Sequence, residues 1–140
     1  MRPEPRIAEA LALRAAAPIH AMIDISDGLS SDLGHILDES RVGAVLDAES
    51  IPIHPDGIAL SRNDRVPPLD HALNDGEDFE LCFVLSPDDA VRLLGSPPAP
   101  ARLYQIGWIT EAPGLRLRFP DGRVIAVEPG GFDHLLASNR

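Results

Sequence analysis

The sequence predicts an α+β fold in which helices cover a mixed β-sheet. Three observations lead there. Helix-like and strand-like stretches alternate through the first two thirds of the chain. The last third carries three strand-like stretches, two of them joined by Pro120-Asp121-Gly122, a hairpin signal because Asp-Gly tolerates the positive φ of tight turns. Finally, 140 residues with 44% hydrophobic and 24% charged side chains suit one domain that buries its own core without disulfide or metal staples.

A first helix is expected over residues 5–17, where Ile7, Ala10, Leu11 and Arg14 or Ala15 recur at helical spacing. Pro18 ends it, since proline cannot continue the hydrogen-bond ladder. Residues 20–25 are a short apolar run between turn signals, read as a buried strand. A second helix begins near Ser26 or Asp27 and runs to about Glu39, with Leu29, Leu33, Ile36 and Leu37 on one face. Residues 42–46 read as a strand, and Pro52 restricts Ile51-Pro52-Ile53 to an edge or an extended connection.

Residues 55–61 suit a short helix; 63–75 are mixed, with Pro67-Pro68 marking a loop or a helix start. A strand at 79–85 precedes a helix through Leu94, for which Ser86 is the N-cap and Pro87 the first helical residue. After a loop at 95–100, strands are expected at 102–109, 115–119 and 123–127, and a short helical tail at 132–137. The order is α-β-α-β-α-β-α-β-β-β. No repeat or linker divides it, so residues 1–140 read as a single domain.

Composition excludes several functions. The net charge is −10, from 22 acidic against 12 basic residues, and no arginine cluster offsets it, which argues against a nucleic-acid partner. Every basic residue is arginine, so Schiff-base chemistry and a lysine-bearing P-loop are out. The one cysteine, Cys82, reads as a small core residue, and Trp108, within a strand, reads as core too. Histidines 20, 35, 54, 71 and 134 lack ligand spacing, so a structural zinc site is not expected. No stretch approaches the roughly 20 apolar residues of a membrane span and no signal-peptide pattern opens the chain. The expectation is a cytoplasmic protein.

The chemistry concentrates in Ile23-Asp24-Ile25-Ser26-Asp27-Gly28-Leu29, where the first strand meets the second helix. Strand side chains alternate, so Asp24 and Ser26 point the same way, and Asp27 follows at the helix mouth. Two carboxylates and a hydroxyl thus converge where helix N–H groups lack partners and the dipole is positive. Phosphate favours such a place, and Mg²⁺ is commonly held by one or two carboxylates plus substrate phosphates. A plainer reading makes Ser26 or Asp27 a helix cap; it accounts for one acidic residue but not for Asp24. A second cluster, Asn74-Asp75-Gly76-Glu77-Asp78-Phe79-Glu80, holds four carboxylates within six residues. It reads either as a solvated turn, which the pattern alone favours, or as a polar binding loop. Phe132, after Gly130-Gly131, reads on pattern alone as core.

Taken in order, Arg2-Pro3-Glu4-Pro5-Arg6, Met22-Ile23-Asp24-Ile25-Ser26-Asp27-Gly28-Leu29 with Asp32-Leu33-Gly34-His35-Ile36, Gly76-Glu77-Asp78-Phe79-Glu80-Leu81, Ile106-Gly107-Trp108-Ile109-Thr110 and Gly131-Phe132-Asp133-His134 resemble the C-terminal half of thiamine-monophosphate kinases, within the aminoimidazole ribonucleotide synthetase-related superfamily. The resemblance implies a three-layer α/β/α domain with a mixed sheet, like the C-terminal domain of aminoimidazole ribonucleotide synthetase. It implies an N-terminal, ATP-binding domain absent from this chain, and a homodimer for the intact enzyme. The implied reaction transfers the γ-phosphoryl of ATP to thiamine monophosphate, giving thiamine diphosphate. By motif, Asp24 and Asp27 correspond to Mg²⁺ ligands, Ser26 to an ATP contact, and Glu77 and Phe132 to thiamine contacts. The chain departs from the family where Asp75 replaces the first of two glycines. It is expected to fold alone but to turn over little substrate. The alternatives are a non-catalytic nucleotide- or partner-binding domain and a related enzyme with another phosphate acceptor.

Overall fold

A computed structural model describes residues 6–53, 55–74 and 80–128. Helix α1 (Ile7–Ala16) leads to strand β1 (Ala21–Asp24), then α2 (Leu29–Ser40) and β2 (Gly43–Asp47). Helices α3 (Pro55–Asp64) and α4 (Pro68–Asn74) precede β3 (Leu81–Val84) and α5 (Pro87–Gly95). Strands β4 (Gly107–Thr110), β5 (Gly114–Arg118) and β6 (Val124–Val127) complete the order. The α+β class is as expected, and no helix among the described residues is long and apolar enough to cross a membrane.

The strands form two sheets. β1 and β3 make an antiparallel pair, and the other four run in the order β4-β2-β5-β6. That larger sheet is mixed: β2 lies parallel to β5 and antiparallel to β4, while β5 and β6 form the expected hairpin. Its turn ends on Gly122 at φ +91°, and the Phe119 N–H donates to the Arg123 carbonyl across it.

Packing follows from the side-chain periods. α2 lays Leu29, Leu33 and Leu37 against Ala44, Leu46, Leu115, Leu117 and Val127 of the large sheet, with Cys82 and Leu73 in the same core. A smaller core joins Leu13 and Ala17 of the first helical segment to Leu93 of α5, with Met22 and Phe83 against it. Neighbouring strand residues face opposite ways, so Met22 and Phe83 look toward α1 and α5 while Ile23 and Cys82 look toward α2. The β1–β3 pair therefore has helices on both faces, and the larger mixed sheet is covered by α2 on its inner face.

Several local expectations need correction. α2 starts at Leu29 behind Gly28, so neither Ser26 nor Asp27 caps it. In the mixed stretch 63–75 the second of the two readings of Pro67-Pro68 holds, a helix start: α4 begins at Pro68. The strand expected over 102–109 is confined to Gly107–Thr110; Leu103 and Ile106 pack into the cores from an irregular segment. Trp108 is not core: it is 42% exposed on the outer face of the large sheet, where the Arg118 guanidinium lies 4.6 Å from its ring centroid. The helical tail expected at 132–137 lies outside the described residues.

Candidate functional site

The site is built where β1 stops and α2 starts. Asp24 is the last paired residue of β1, opposite Leu81, and the Ile25 N–H donates to the Glu80 carbonyl at 2.7 Å. The chain then turns through Ser26, Asp27 and Gly28 into the helix. Gly28 sits at φ +123°, and a Cβ there would lie 2.8 Å from the backbone C and O of Asn74. Only glycine meets both demands. Ser30, fully buried, donates from Oγ to Asn74 Oδ1 at 3.1 Å.

Asp32 closes the turn from inside. Its carboxylate is 3% exposed, and Oδ2 accepts from the backbone N–H of Ser26 at 2.7 Å and of Asp27 at 3.0 Å. The Asp32 N–H itself donates to the Gly28 carbonyl, the first helical bond of α2. Beside it, burial pushes the Cys82 thiol up to about 11, with the Asp32 charge acting in the same direction. Cys82 is thus an inert core thiol, as expected. Sequence reasoning did not single out Asp32 as a working residue: an acidic residue in a first helical turn reads as a dipole partner on the solvent side.

With the backbone pinned, the side chains of Asp24, Ser26 and Asp27 all face solvent. The arrangement can offer two carboxylates and a hydroxyl to a ligand at the positive end of α2. Among the described residues, no group of three or more His, Cys, Asp or Glu side chains stands together as a ready metal cage. Two exposed carboxylates without a third do fit Mg²⁺, which keeps several waters and draws further oxygens from substrate phosphates.

The second acidic cluster is anchored beside the first at both ends. Asn74, before it, meets Gly28 and Ser30; Glu80, after it, bonds Ile25 through its backbone and pairs with Arg6 at 2.9 Å. Arg6 also reaches Glu9 at 3.2 Å, and the two carboxylates, Glu80 first, hold its guanidinium charged. Glu77, Asp75 and Phe132 themselves lie outside the described residues.

Residues 1–120 match the family described as AIR synthase related protein, C-terminal domain. The chain belongs to this family. The expected resemblance to thiamine-monophosphate kinases also holds. This AIR synthase-related domain is 37% identical over 134 residues to the thiamine-monophosphate kinase of Rhodopirellula baltica, covering 96% of this chain and 42% of that protein. It aligns with the crystal structure of thiamine-monophosphate kinase from Stenotrophomonas maltophilia at a TM-score of 0.68 and 41% identity, covering 83% of this chain and 36% of that one. A structure of AaThiL complexed with AMPPCP and TMP gives a TM-score of 0.72 at 27% identity, covering 93% and 38%. The chain therefore spans about two-fifths of the length of such relatives.

Proposed function

We propose that this domain is one half of the active site of a cytoplasmic thiamine-monophosphate kinase, working as a dimer once joined to an N-terminal ATP-binding domain. The observation that carries the reading is the pinned turn at 24–28, which presents exposed Asp24, Ser26 and Asp27 next to both anchors of the segment holding Glu77. The relative complexed with AMPPCP and TMP supports it, taking these as an ATP analogue and thiamine monophosphate.

Asp24 and Asp27 would hold Mg²⁺, which neutralises charge on the ATP phosphates. Ser26 donates from its hydroxyl to a phosphate oxygen near the N-terminus of α2. By the family resemblance, Glu77 would meet the cationic thiazolium and Phe132 would stack on a substrate ring. A phosphate oxygen of thiamine monophosphate attacks the γ-phosphorus as its bond to the ADP oxygen breaks, so no side-chain nucleophile is needed. The work left to the protein is alignment and charge neutralisation.

The test is reconstitution. The chain alone is expected to show little turnover of thiamine monophosphate with Mg-ATP, and the N-terminal segment of a relative, added in trans, is expected to restore it. Asp24→Asn or Asp27→Asn in the restored pair should lower kcat by at least a hundredfold, in line with loss of charge stabilisation at the transferred group. Nucleotide binding without turnover in the pair would instead support a non-catalytic binding domain.

A further inference from the structure

Asp32 differs from an ordinary helix-start carboxylate in what it touches. The capping position of α2 is Gly28, and the Asp32 side chain reaches past it to two N–H groups of the preceding turn. Both bonds fall on one oxygen of a side chain only 3% exposed. Among the described residues no cationic side chain pairs with it. Bonds to a carboxylate are shorter and stronger than neutral ones, which stiffens the backbone between Asp24 and Asp27.

Building on the metal reading above, we infer that Asp32 is a positioning residue: it holds the Ser26–Asp27 backbone so that Asp24 and Asp27 present their oxygens for divalent-cation binding. It touches neither cation nor substrate. It acts as outer partners of metal ligands do, by orienting them, and loss of such a partner typically weakens metal binding about 10–100-fold.

The experiment titrates the ¹⁵N-labelled chain with Mn²⁺ alone and follows paramagnetic broadening of the amides of residues 24–27. Four proteins are compared: wild type, Asp32→Ala, Asp32→Asn, and Ile36→Val as a control that trims buried packing one turn further along α2 without touching the turn. Expected are an apparent Mn²⁺ affinity at 24–27 at least about tenfold weaker in Asp32→Ala, partial recovery in Asp32→Asn, whose amide oxygen still accepts, and unchanged affinity in Ile36→Val. Wild-type affinity in Asp32→Ala overturns the inference while leaving the metal reading standing. An equal loss in Ile36→Val also overturns it, because general destabilisation would then suffice. Broadening that avoids 24–27 in the wild type overturns both. Should Asp32→Ala not fold, amide exchange in the wild type decides: slow exchange at Ser26 and Asp27, both exposed residues, supports the assignment, and free exchange at both rejects it.

Discussion

Asp70, near the start of α4, is 4% exposed, and its Oδ1 has no hydrogen-bond partner among the described residues. Burial pushes its carboxyl up to about 6, and the neighbouring His71 only partly opposes this. The folded chain then keeps a proton that the unfolded chain, titrating near the ordinary 3.8, has released. Between those values the native state binds more protons, so stability falls as pH rises from about 4 to about 6. Asp70→Asn is expected to raise Tm at pH 7 and to flatten this slope, measured by thermal melts across pH 4–8. Cys82 gives a second residue-scale expectation. A thiol pushed up to about 11 by burial carries almost no thiolate at pH 8, so a disulfide reagent should leave it untouched until denaturant opens the fold. Fast reaction in the native state would contradict the packing of β3 against α2.

At the scale of elements, the turn between β1 and α2 is sensitive at Gly28. Gly28→Ala places a methyl group 2.8 Å from the Asn74 backbone at φ +123°, and neither side is a flexible side chain that could give way. A loss of about 2 kcal/mol or more is expected in denaturant unfolding, from strain in an unfavourable backbone region plus the clash. The cap of α5 is simpler: Ser86 Oγ accepts from the Asp89 N–H at 3.2 Å, and Ser86→Ala should cost about 1 kcal/mol. That cap was legible because Ser-Pro followed by two aspartates is a local signal, and the β5–β6 hairpin was legible from Asp121-Gly122 for the same reason. Helix α4 was not. Its buried Leu73 lies in a stretch broken by two prolines with no clean period, and only packing against α2 and α3 defines it. Trp108 was misread because strand alternation tells which residues share a face, not which face is covered.

At the scale of the molecule, the fold joins two loops that the sequence keeps about fifty residues apart. Asp24, Ser26 and Asp27 could be picked out because a carboxylate closing an apolar strand before a helix has no packing reason. The device that fixes them could not, since Asp32, Ser30 and Asn74 signal nothing until tertiary contacts bring them to the turn. On the reading proposed above, two exposed carboxylates and a hydroxyl on a stiff turn suit a ligand that brings further oxygens of its own, as phosphates do. The most direct measurement is a crystal structure of the chain joined to a relative's N-terminal segment, with Mg²⁺ and AMPPCP. One carboxylate oxygen each from Asp24 and Asp27 is predicted about 2.1 Å from magnesium, with Ser26 Oγ against a phosphate. A nucleotide bound elsewhere, with both carboxylates facing water, would contradict the account.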